Sequence, residues 1–436
     1  MNIKNLLVKK LLLKEKLDEL NRKKTLYEKT TLDKEIYENQ INNFNRQWLN
    51  ISSNNSFYKM WKEKYKLPNK IEKISDLNNY FPILTKKHIN EFEDLLSIDF
   101  KDSSTISTGG TSGITTRFPI SSKDTLDSYT NGYLGRSWWN INPLDDILMY
   151  WGHSHLFGGG IKGKFNHYKK QFSNYLINTK RVSSYSLSYD NVASFYDNLV
   201  DFNPSSIISY TSNVYKICKY MEDNNLYYNS DKLKGVILTS ESVNDIDIEL
   251  VNKRLNTEVI NEYGMAETGP IAYSYKKTNN IKIFWDSFII TTNKDELVLS
   301  SIGQKLFPLI NYSSEDKIIV DKSYKGSILT ISKIEGKCRN ILNIPSLNNR
   351  NEEISTILFD HIIKYYPDIF SIQYKQINNI VEIHVTSNKN LDLIKLKNHT
   401  ELKLKEEFLN LDFSKIIFKQ VSEIEKTIAG KIKTIL

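Results

Sequence analysis

The feature that most restricts the fold is an alternation of short apolar runs with amphipathic stretches in the middle of the chain. The apolar runs span 146–150, 206–210 and 235–239, each with the length of a buried strand. Helical periodicity over 213–224 and 245–256 separates or follows them. Parallel strands need long crossover connections, so this alternation predicts an α/β domain with mainly parallel sheets.

The flanking regions have other patterns. Residues 1–50 predict one or two Lys- and Glu-rich amphipathic helices, and residues 55–95 predict short helices. Residues 281–333 show short alternating runs, which predict antiparallel strands or a small barrel-like sheet. For the last hundred residues we expect helix 352–365, strand 380–386, helix 391–408 and strand 414–419, a compact α+β pattern.

Composition and cysteine content exclude several classes of protein. The two cysteines, Cys218 and Cys338, form no CxxC pair, which excludes a thiolate zinc site and argues against a disulfide framework. A net charge of +8 over 436 residues is a mild excess, and no basic stripe is interleaved with aromatics, so we expect no nucleic-acid partner.

The N-terminal segment bears on location. Lysines interrupt its apolar runs, so it does not resemble a signal peptide, and no stretch reaches the ~20 apolar residues of a membrane span. We therefore expect a cytoplasmic protein. An N-terminal helix that packs on its own domain is favoured over one that lies on a membrane surface.

A loop rich in glycine and hydroxyl groups lies at Thr108-Gly109-Gly110-Thr111-Ser112-Gly113. Glycines let backbone N–H groups turn toward an anion, and Ser and Thr hydroxyls add donors without bulk. The segment can wrap a polyphosphate, although an ordinary flexible turn would have the same composition.

Three later segments carry groups suited to the rest of a nucleotide. Tyr263 can stack on a flat base, and Glu267 four residues later can ligate Mg²⁺. Asp316 follows an apolar run and can accept hydrogen bonds from two neighbouring ribose hydroxyls. Lys431 follows a glycine near the C-terminus and can be carried into a site from outside.

Two other segments imitate functional motifs. Gly158 to Lys164 has the spacing of a phosphate-binding P-loop, but Phe165 stands where Ser or Thr must bind magnesium. His153 and His155 would share one face of a strand, yet no further ligand lies at convincing spacing, so a metal site is disfavoured. No G-x-S-x-G elbow is present, which weakens a hydrolase interpretation.

The order of these segments resembles the adenylate-forming superfamily of acyl-CoA synthetases and adenylation domains, and within it the phenylacetate–CoA ligase and CapK branch. The resemblance covers nearly the whole chain. Besides the segments above, it rests on Phe57-Tyr58, on Phe81 to Lys86, on 203–212 and on Leu238 to Glu241.

The resemblance implies an α/β fold in two domains. A large N-terminal domain with mainly parallel sheets and a small antiparallel sheet would cover residues 1–335, with a helical lead-in over 1–100. A hinge at 336–340 would lead to a small mobile α+β C-terminal lid domain at 341–436.

The resemblance also implies a role for each matching residue. Nucleotide-binding residues would be Thr108, Gly109, Gly110, Thr111, Ser112, Gly113, Ser240, Glu241, Tyr263, Gly264, Met265, Ala266, Asp316 and Lys337. Of these, 108–113 would hold the β- and γ-phosphates, Tyr263 and Gly264 would border the adenine, and Asp316 and Lys337 would hold the ribose. Lys431, Glu267 and Thr108 would be catalytic, with Mg²⁺ on Glu267. Trp151, Gly152 and His153 would line the acid pocket.

Three departures from the family pattern stand out. Ala266 replaces a threonine, and Glu315 stands where the family has the glycine of a tight turn. The hinge reads Gly336-Lys337-Cys338-Arg339-Asn340, without the family's two acidic residues and with Lys337 in place of an arginine fork. The hinge departures bear on domain rotation more than on adenylation.

The function implied is activation of a carboxylic acid by ATP to acyl-AMP, with aryl or small acids favoured, followed by transfer to a thiol. The cofactors implied are ATP and Mg²⁺, with CoA or the phosphopantetheine of a carrier protein as acceptor; an amine acceptor remains open. Two alternatives are an acyl-protein synthetase that hands its acyl group to a partner enzyme, and a non-catalytic nucleotide-binding member of an assembly.

Overall fold

The computed structural model describes residues 3–436 except 101–102, 110–114, 152–170, 184–191, 242, 244, 304, 338–340, 348–350, 364–365, 367, 370, 388, 406–407, 409 and 426–434. The first hundred residues are helical, with helices Ile3–Leu11, Lys14–Lys29, Asp33–Asn54, Ser56–Tyr65, Ser75–Tyr80, Lys86–Glu91 and Glu93–Asp99. The first fifty residues therefore hold three helices, where the sequence predicted one or two.

A single sheet of eleven strands forms the centre of the molecule. Its strands are β3 (Ile147–Trp151), β4 (Thr179–Ser183), β5 (Ser206–Tyr210), β6 (Val236–Thr239), β7 (Val259–Met265), β8 (Gly269–Ser274), β9 (Ile281–Ile283), β10 (Phe288–Asn293), β11 (Glu296–Ser301), β12 (Tyr312–Tyr324) and β13 (Ser327–Lys337). Their order is β10-β11-β12-β13-β9-β8-β7-β6-β5-β3-β4.

The strand pairing of the sheet changes from parallel to antiparallel at β7. Strands β4, β3, β5, β6 and β7 are parallel neighbours, whereas every pairing from β7 through β8 to β10 is antiparallel. The parallel half confirms the strands predicted at 146–150, 206–210 and 235–239. The antiparallel strands predicted over 281–333 are also confirmed, but they continue the main sheet and do not form a separate one.

Helices cover the parallel half, as crossover connections require. The helix Ser122–Ser137 packs against β8, whereas Val192–Phe202, Thr211–Asp223 and Asp245–Leu255 lie over the parallel half; residues 171–176 are also helical. The last three named helices enclose a hydrophobic cluster on one face of β3, β5 and β6. The helix Asp33–Asn54 belongs to the main cluster, in which Phe44 and Trp48 are fully buried.

The N-terminal helices pack on the large sheet, as the sequence analysis favoured. Lys23 is only 2% exposed, and its Nζ lies 2.7 Å from Asp127 Oδ1 and 3.1 Å from Asp286 Oδ2. Lys305 Nζ lies 2.8 Å from the other oxygen of Asp127. These buried pairs fix the helix Lys14–Lys29 to the helix Ser122–Ser137.

A hairpin precedes the main sheet, formed by β1 (Ser104–Gly109) and β2 (Thr115–Ile120). The last part of the chain has two further small sheets. One pairs β14 (Ile341–Pro345) with β15 (Asn351–Ser355), and the other contains β16 (Ser371–Ile377), β17 (Ile380–Thr386) and β18 (Ile416–Gln420) with helices Thr356–Ile363 and Leu393–Lys405.

The α+β pattern of this region is confirmed, with two corrections. The helix predicted from residue 352 begins at Thr356, because 351–355 pairs with β14 as a hairpin strand. The strand β16 was missed, although its pairing with β17 covers its whole length. Residues such as Leu342, Val381 and Phe418 form a hydrophobic cluster of their own. The domain limits given above stay a prediction.

None of the helices that the structure describes is both long enough and apolar enough to cross a membrane.

Candidate nucleotide-binding site

The carboxyl ends of the parallel strands meet at one edge of the sheet, where open α/β sheets bind ligands. Trp151 ends β3 and Tyr210 ends β5, and their ring centroids are 4.4 Å apart. Ser240 follows β6 with a φ of 69°, a left-handed conformation that is uncommon for serine. Trp151 and Ser240, predicted as pocket and nucleotide residues, therefore lie at the same edge.

The end of β7 and the tight turn into β8 carry the predicted residues from Tyr263 to Glu267. A bulge falls between Tyr263 and Gly264. A Cβ on Gly264 would lie 2.6 Å from the carbonyl oxygen of Gly269, so only glycine permits the two strands to approach this closely. Met265 is half-buried and Ala266 is exposed at the tip of the turn.

Tyr263 connects this turn to the predicted ribose-binding carboxylate. Its phenol donates a hydrogen bond of 2.8 Å to Asp316 Oδ2. Burial raises the pKa of Tyr263 well above its usual value, and the charge of Asp316 raises it further, so the phenol remains a donor at physiological pH. The structure thus brings Tyr263 and Asp316 together, and the hydrogen bond holds one carboxylate oxygen in place.

The turn before Asp316 contains a residue in the left-handed conformation that is not a glycine. Glu315 has a φ of 66°. Its backbone N–H donates to Glu296 Oε1 at 3.3 Å, and the N–H of Asp316 donates to Ser314 Oγ at 3.1 Å. Glu315 therefore adopts a conformation that favours glycine, and Glu296 supports the turn from the neighbouring strand.

Lys337, the second predicted ribose ligand, is the direct β-ladder partner of Asp316. The pairing joins β12 to β13 at Asp316 and Lys337 and then at Lys317 and Gly336. The backbones of the two predicted ribose residues are therefore adjacent. The side chain of Lys337 lies outside what the structure describes.

Glu267, the predicted magnesium ligand, is deeply buried, with 3% of its side chain exposed. Its Oε1 accepts a hydrogen bond of 2.8 Å from the phenol of Tyr312 and lies 3.5 Å from Lys86 Nζ. Burial raises the pKa of Tyr312 far above its usual value, and the charge of Glu267 adds to this effect. Among the described residues, no group of three or more His, Cys, Asp or Glu side chains is arranged as a metal site.

Lys86 and Glu296 are site residues that the sequence analysis did not identify. Lys86 closes the Phe81 to Lys86 segment that was used as a family marker, but no local signal assigns it a role. Glu296 lies in an ordinary alternating strand. Both act through contacts with residues more than fifteen positions away.

Glu241 has a structural partner at the same edge. Its carboxylate accepts hydrogen bonds from the backbone N–H and the hydroxyl of Ser212, at 2.7 and 3.1 Å, in the first turn of the helix Thr211–Asp223. A carboxylate at this position satisfies a free N–H and complements the helix dipole. Its role toward a nucleotide stays a prediction.

Other predicted residues cannot be placed. Gly110, Thr111, Ser112, Gly113, Gly152, His153 and Lys431 lie outside the described residues, as do the Gly158–Lys164 segment, His155 and 338–340 of the predicted hinge. Thr108 and Gly109 end β1, opposite Thr116 and Thr115 of β2, and their backbones alone are described.

The sequence is similar to those of two known proteins. Protein CapK of Staphylococcus aureus is 25% identical over 421 residues, which cover 91% of this chain and 88% of CapK. Phenylacetate-coenzyme A ligase of Pseudomonas putida is 23% identical over 245 residues, 53% of this chain and 52% of the ligase. The chain is therefore similar along most of its length to CapK, and along about half of its length to a CoA ligase. No family model matches the chain.

Solved structures of CoA ligases share the fold. A 2-hydroxyisobutyryl-CoA ligase in complex with an acyl-AMP superposes with a TM-score of 0.65 at 12% identity, covering 93% of this chain and 89% of that one. An o-succinylbenzoate CoA synthetase from Bacillus subtilis gives 0.51 at 11% identity, covering 83% and 78%. These two ligases therefore share the fold within which Tyr263, Glu267 and Asp316 are arranged.

Proposed function

We infer that this protein activates a carboxylic acid with ATP, forming acyl-AMP and pyrophosphate, and then transfers the acyl group to a thiol. One observation carries the proposal. Two tyrosine–carboxylate hydrogen bonds, Tyr263 to Asp316 and Tyr312 to Glu267, bring the predicted ribose and magnesium carboxylates into one site at the end of β7.

The arrangement suits adenylation. The acid's carboxylate oxygen attacks the α-phosphorus of ATP, and the bond from that phosphorus to the bridging oxygen breaks as pyrophosphate leaves. Charge accumulates on the phosphate oxygens, so the enzyme's contribution is positioning and charge stabilisation. Asp316 would orient the ribose and Lys431 would stabilise the α-phosphate.

The predicted magnesium ligand also fits this chemistry. Glu267 presents a carboxylate, the donor that Mg²⁺ prefers, and Lys86 already provides a counter-charge that makes its burial tolerable. Mg²⁺ held there would neutralise charge on the phosphates.

We favour an aryl or small acid as the substrate. The aromatic pair of Trp151 and Tyr210 at the carboxyl ends of β3 and β5 supports this choice, because flat apolar rings suit such acids. A related structure, 2-hydroxyisobutyryl-CoA ligase, carries a small hydroxy acid as its adenylate. CoA is the favoured acceptor, since the named ligases among the relatives are CoA ligases; a carrier protein is the other candidate.

Pyrophosphate exchange tests the first step. Wild-type protein with MgATP and labelled pyrophosphate is screened against aryl, short hydroxy, fatty and amino acids, and we expect exchange with one class of acid. Glu267→Gln and Lys431→Ala should reduce exchange by about 10²–10³-fold, whereas Lys433→Ala, two residues along, serves as a matched control. ATP binding without exchange for any acid would favour a non-catalytic member.

The acceptor is tested once an acid is known. The protein with MgATP and that acid is mixed with CoA, with a phosphopantetheinylated carrier protein, or with neither, and thioester is measured by mass spectrometry. Thioester with CoA supports the proposal. Acyl-AMP that accumulates with both thiols would point to another acceptor.

A further inference from the structure

Lys86 lies where two parts of the candidate site meet. It begins the helix Lys86–Glu91, whose first turn is capped by Thr85. Just before it, Leu84 donates to the carbonyl of Asn311 at 2.9 Å and accepts from the N–H of Ser313 at 3.0 Å. The backbone that leads into Lys86 is therefore tied to the start of β12, the strand that carries Asp316.

The same helix also packs against β2, the strand that follows the predicted phosphate loop. Phe118 of β2 contacts Tyr312 of β12, with ring centroids 6.5 Å apart. The hairpin that flanks residues 110–114, the helix of Lys86 and the start of β12 thus form one packed unit. Lys86 is the basic side chain that this unit directs to Glu267.

The ion pair itself has a modest structural value. Lys86 Nζ lies 3.5 Å from Glu267 Oε1, and 26% of the lysine side chain is exposed. A single partly exposed pair at this distance adds little to stability. Glu267 is also satisfied by Tyr312. A strongly hydrated ammonium held beside the predicted magnesium ligand is, however, well suited to bind phosphate oxygens.

We propose that Lys86 is a catalytic residue of the large domain that binds the β- and γ-phosphates of ATP and stabilises the departing pyrophosphate. The inference rests on the proposed function and extends it. The family resemblance assigned the phosphates and Mg²⁺ to the loop 108–113, Glu267 and Lys431, and it gave Lys86 no role. Lys86 lies next to Glu267 in the large domain and needs no movement of the C-terminal region.

The chemistry requires such a charge. When the bond from the α-phosphorus to the bridging oxygen breaks, its electron pair moves onto pyrophosphate, so negative charge grows on the leaving group. The described carboxylates around the site, Glu267, Glu296, Glu315 and Asp316, would repel it. Lys86 offsets this repulsion and donates hydrogen bonds to the phosphate oxygens, and no proton transfer is needed.

A binding experiment tests the site without turnover. Calorimetry compares MgATP and AMP, in the absence of acid, for wild type, Lys86→Met and Lys87→Met. Lys87 is the matched control because it is the next residue, is exposed, and is also a lysine. We expect Lys86→Met to weaken MgATP binding by about 10- to 100-fold, the effect of one charged hydrogen bond, and to leave AMP binding unchanged.

The alternative role is a simple counter-ion to Glu267, and a double variant separates the two. If Lys86 only neutralises Glu267, Lys86→Met combined with Glu267→Gln recovers the MgATP affinity of Glu267→Gln alone. If Lys86 binds phosphate, the double variant is weaker than Glu267→Gln by a further 10-fold or more, and Lys86→Arg retains part of the wild-type affinity.

The outcomes are distinguishable from failure of the proposed function. Wild-type protein that binds neither MgATP nor AMP would overturn the proposed function itself. Wild-type protein that binds both, with Lys86→Met equal to Lys87→Met or with equal losses for MgATP and AMP, would overturn the role of Lys86 alone. Circular dichroism of each variant shows whether it is folded before its affinity is compared.

Discussion

The phenol of Tyr263 and the carboxylate of Asp316 are joined by a hydrogen bond of 2.8 Å, although their strands are four positions apart in the sheet. In a flat sheet four strand spacings amount to ~19 Å, well beyond the reach of a tyrosine. The antiparallel half therefore curls back toward β7. The hydrogen bond from Tyr312 to Glu267 spans the same gap. This curvature creates the candidate site.

We expect Tyr263→Phe to raise the KM for ATP in pyrophosphate exchange by about 3- to 10-fold, the value of one hydrogen bond. The ring is retained, so the loss comes from the orientation of Asp316. Asp316→Asn should raise the KM for ATP more than Tyr263→Phe does. If Tyr263 acts through Asp316, the double variant is no worse than Asp316→Asn, and full additivity of the two losses would contradict this coupling.

Glu315→Gly should raise the free energy of unfolding by about 1 kcal/mol. A φ of 66° costs a non-glycine residue ~1–2 kcal/mol, and glycine adopts it without that cost. Urea unfolding followed by tryptophan fluorescence measures the change. Glu315→Ala is the control, because it removes the charge and keeps the strain; an equal gain in both variants would assign the effect to charge.

Lys23→Met should lower the free energy of unfolding by about 3–5 kcal/mol, because it leaves Asp127 and Asp286 buried without this partner. Urea unfolding followed by tryptophan fluorescence measures the change. Lys24→Met provides the comparison, because Lys24 forms no ion pair among the described residues. Equal midpoints for the two variants would mean that the buried pairs do not hold the N-terminal helices.

Low pH should weaken the ion pairs that Asp127 forms with Lys23 and Lys305. Burial alone would raise the pKa of Asp127, but the charges of Lys23 and Lys305 and their hydrogen bonds outweigh it and hold that pKa far below its usual value. A depressed folded pKa contributes stability that is fully present above the unfolded pKa of ~3.9 and is lost as pH falls toward the folded value.

The stability difference between wild type and Asp127→Asn should therefore be constant from pH 7 to pH 5 and should narrow below pH 4, by up to about 1.4 kcal/mol per pH unit. Urea midpoints at pH 7, 5 and 3 measure it. A difference that stays constant down to pH 3 would show that Asp127 is not held ionised by the two lysines.

The sequence by itself determined the elements whose signals are local. The apolar runs of β3, β5 and β6 predict parallel strands because both faces of such strands are buried. The family markers identified Tyr263, Glu267 and Asp316 because each lies in a short segment of recognisable order. The hairpin strand 351–355 was misassigned as helix because its pairing with β14 overrides local periodicity.

Only the tertiary structure decided how these residues meet. The curl of the antiparallel strands, the ion pair of Lys86 with Glu267 and the support of the Glu315 turn by Glu296 all join residues distant in sequence. Such contacts depend on sheet curvature and side-chain reach, which leave no periodic or compositional trace. The sequence therefore named Tyr263, Glu267 and Asp316, and the fold decided that Tyr263 contacts Asp316 and that Tyr312 and Lys86 contact Glu267.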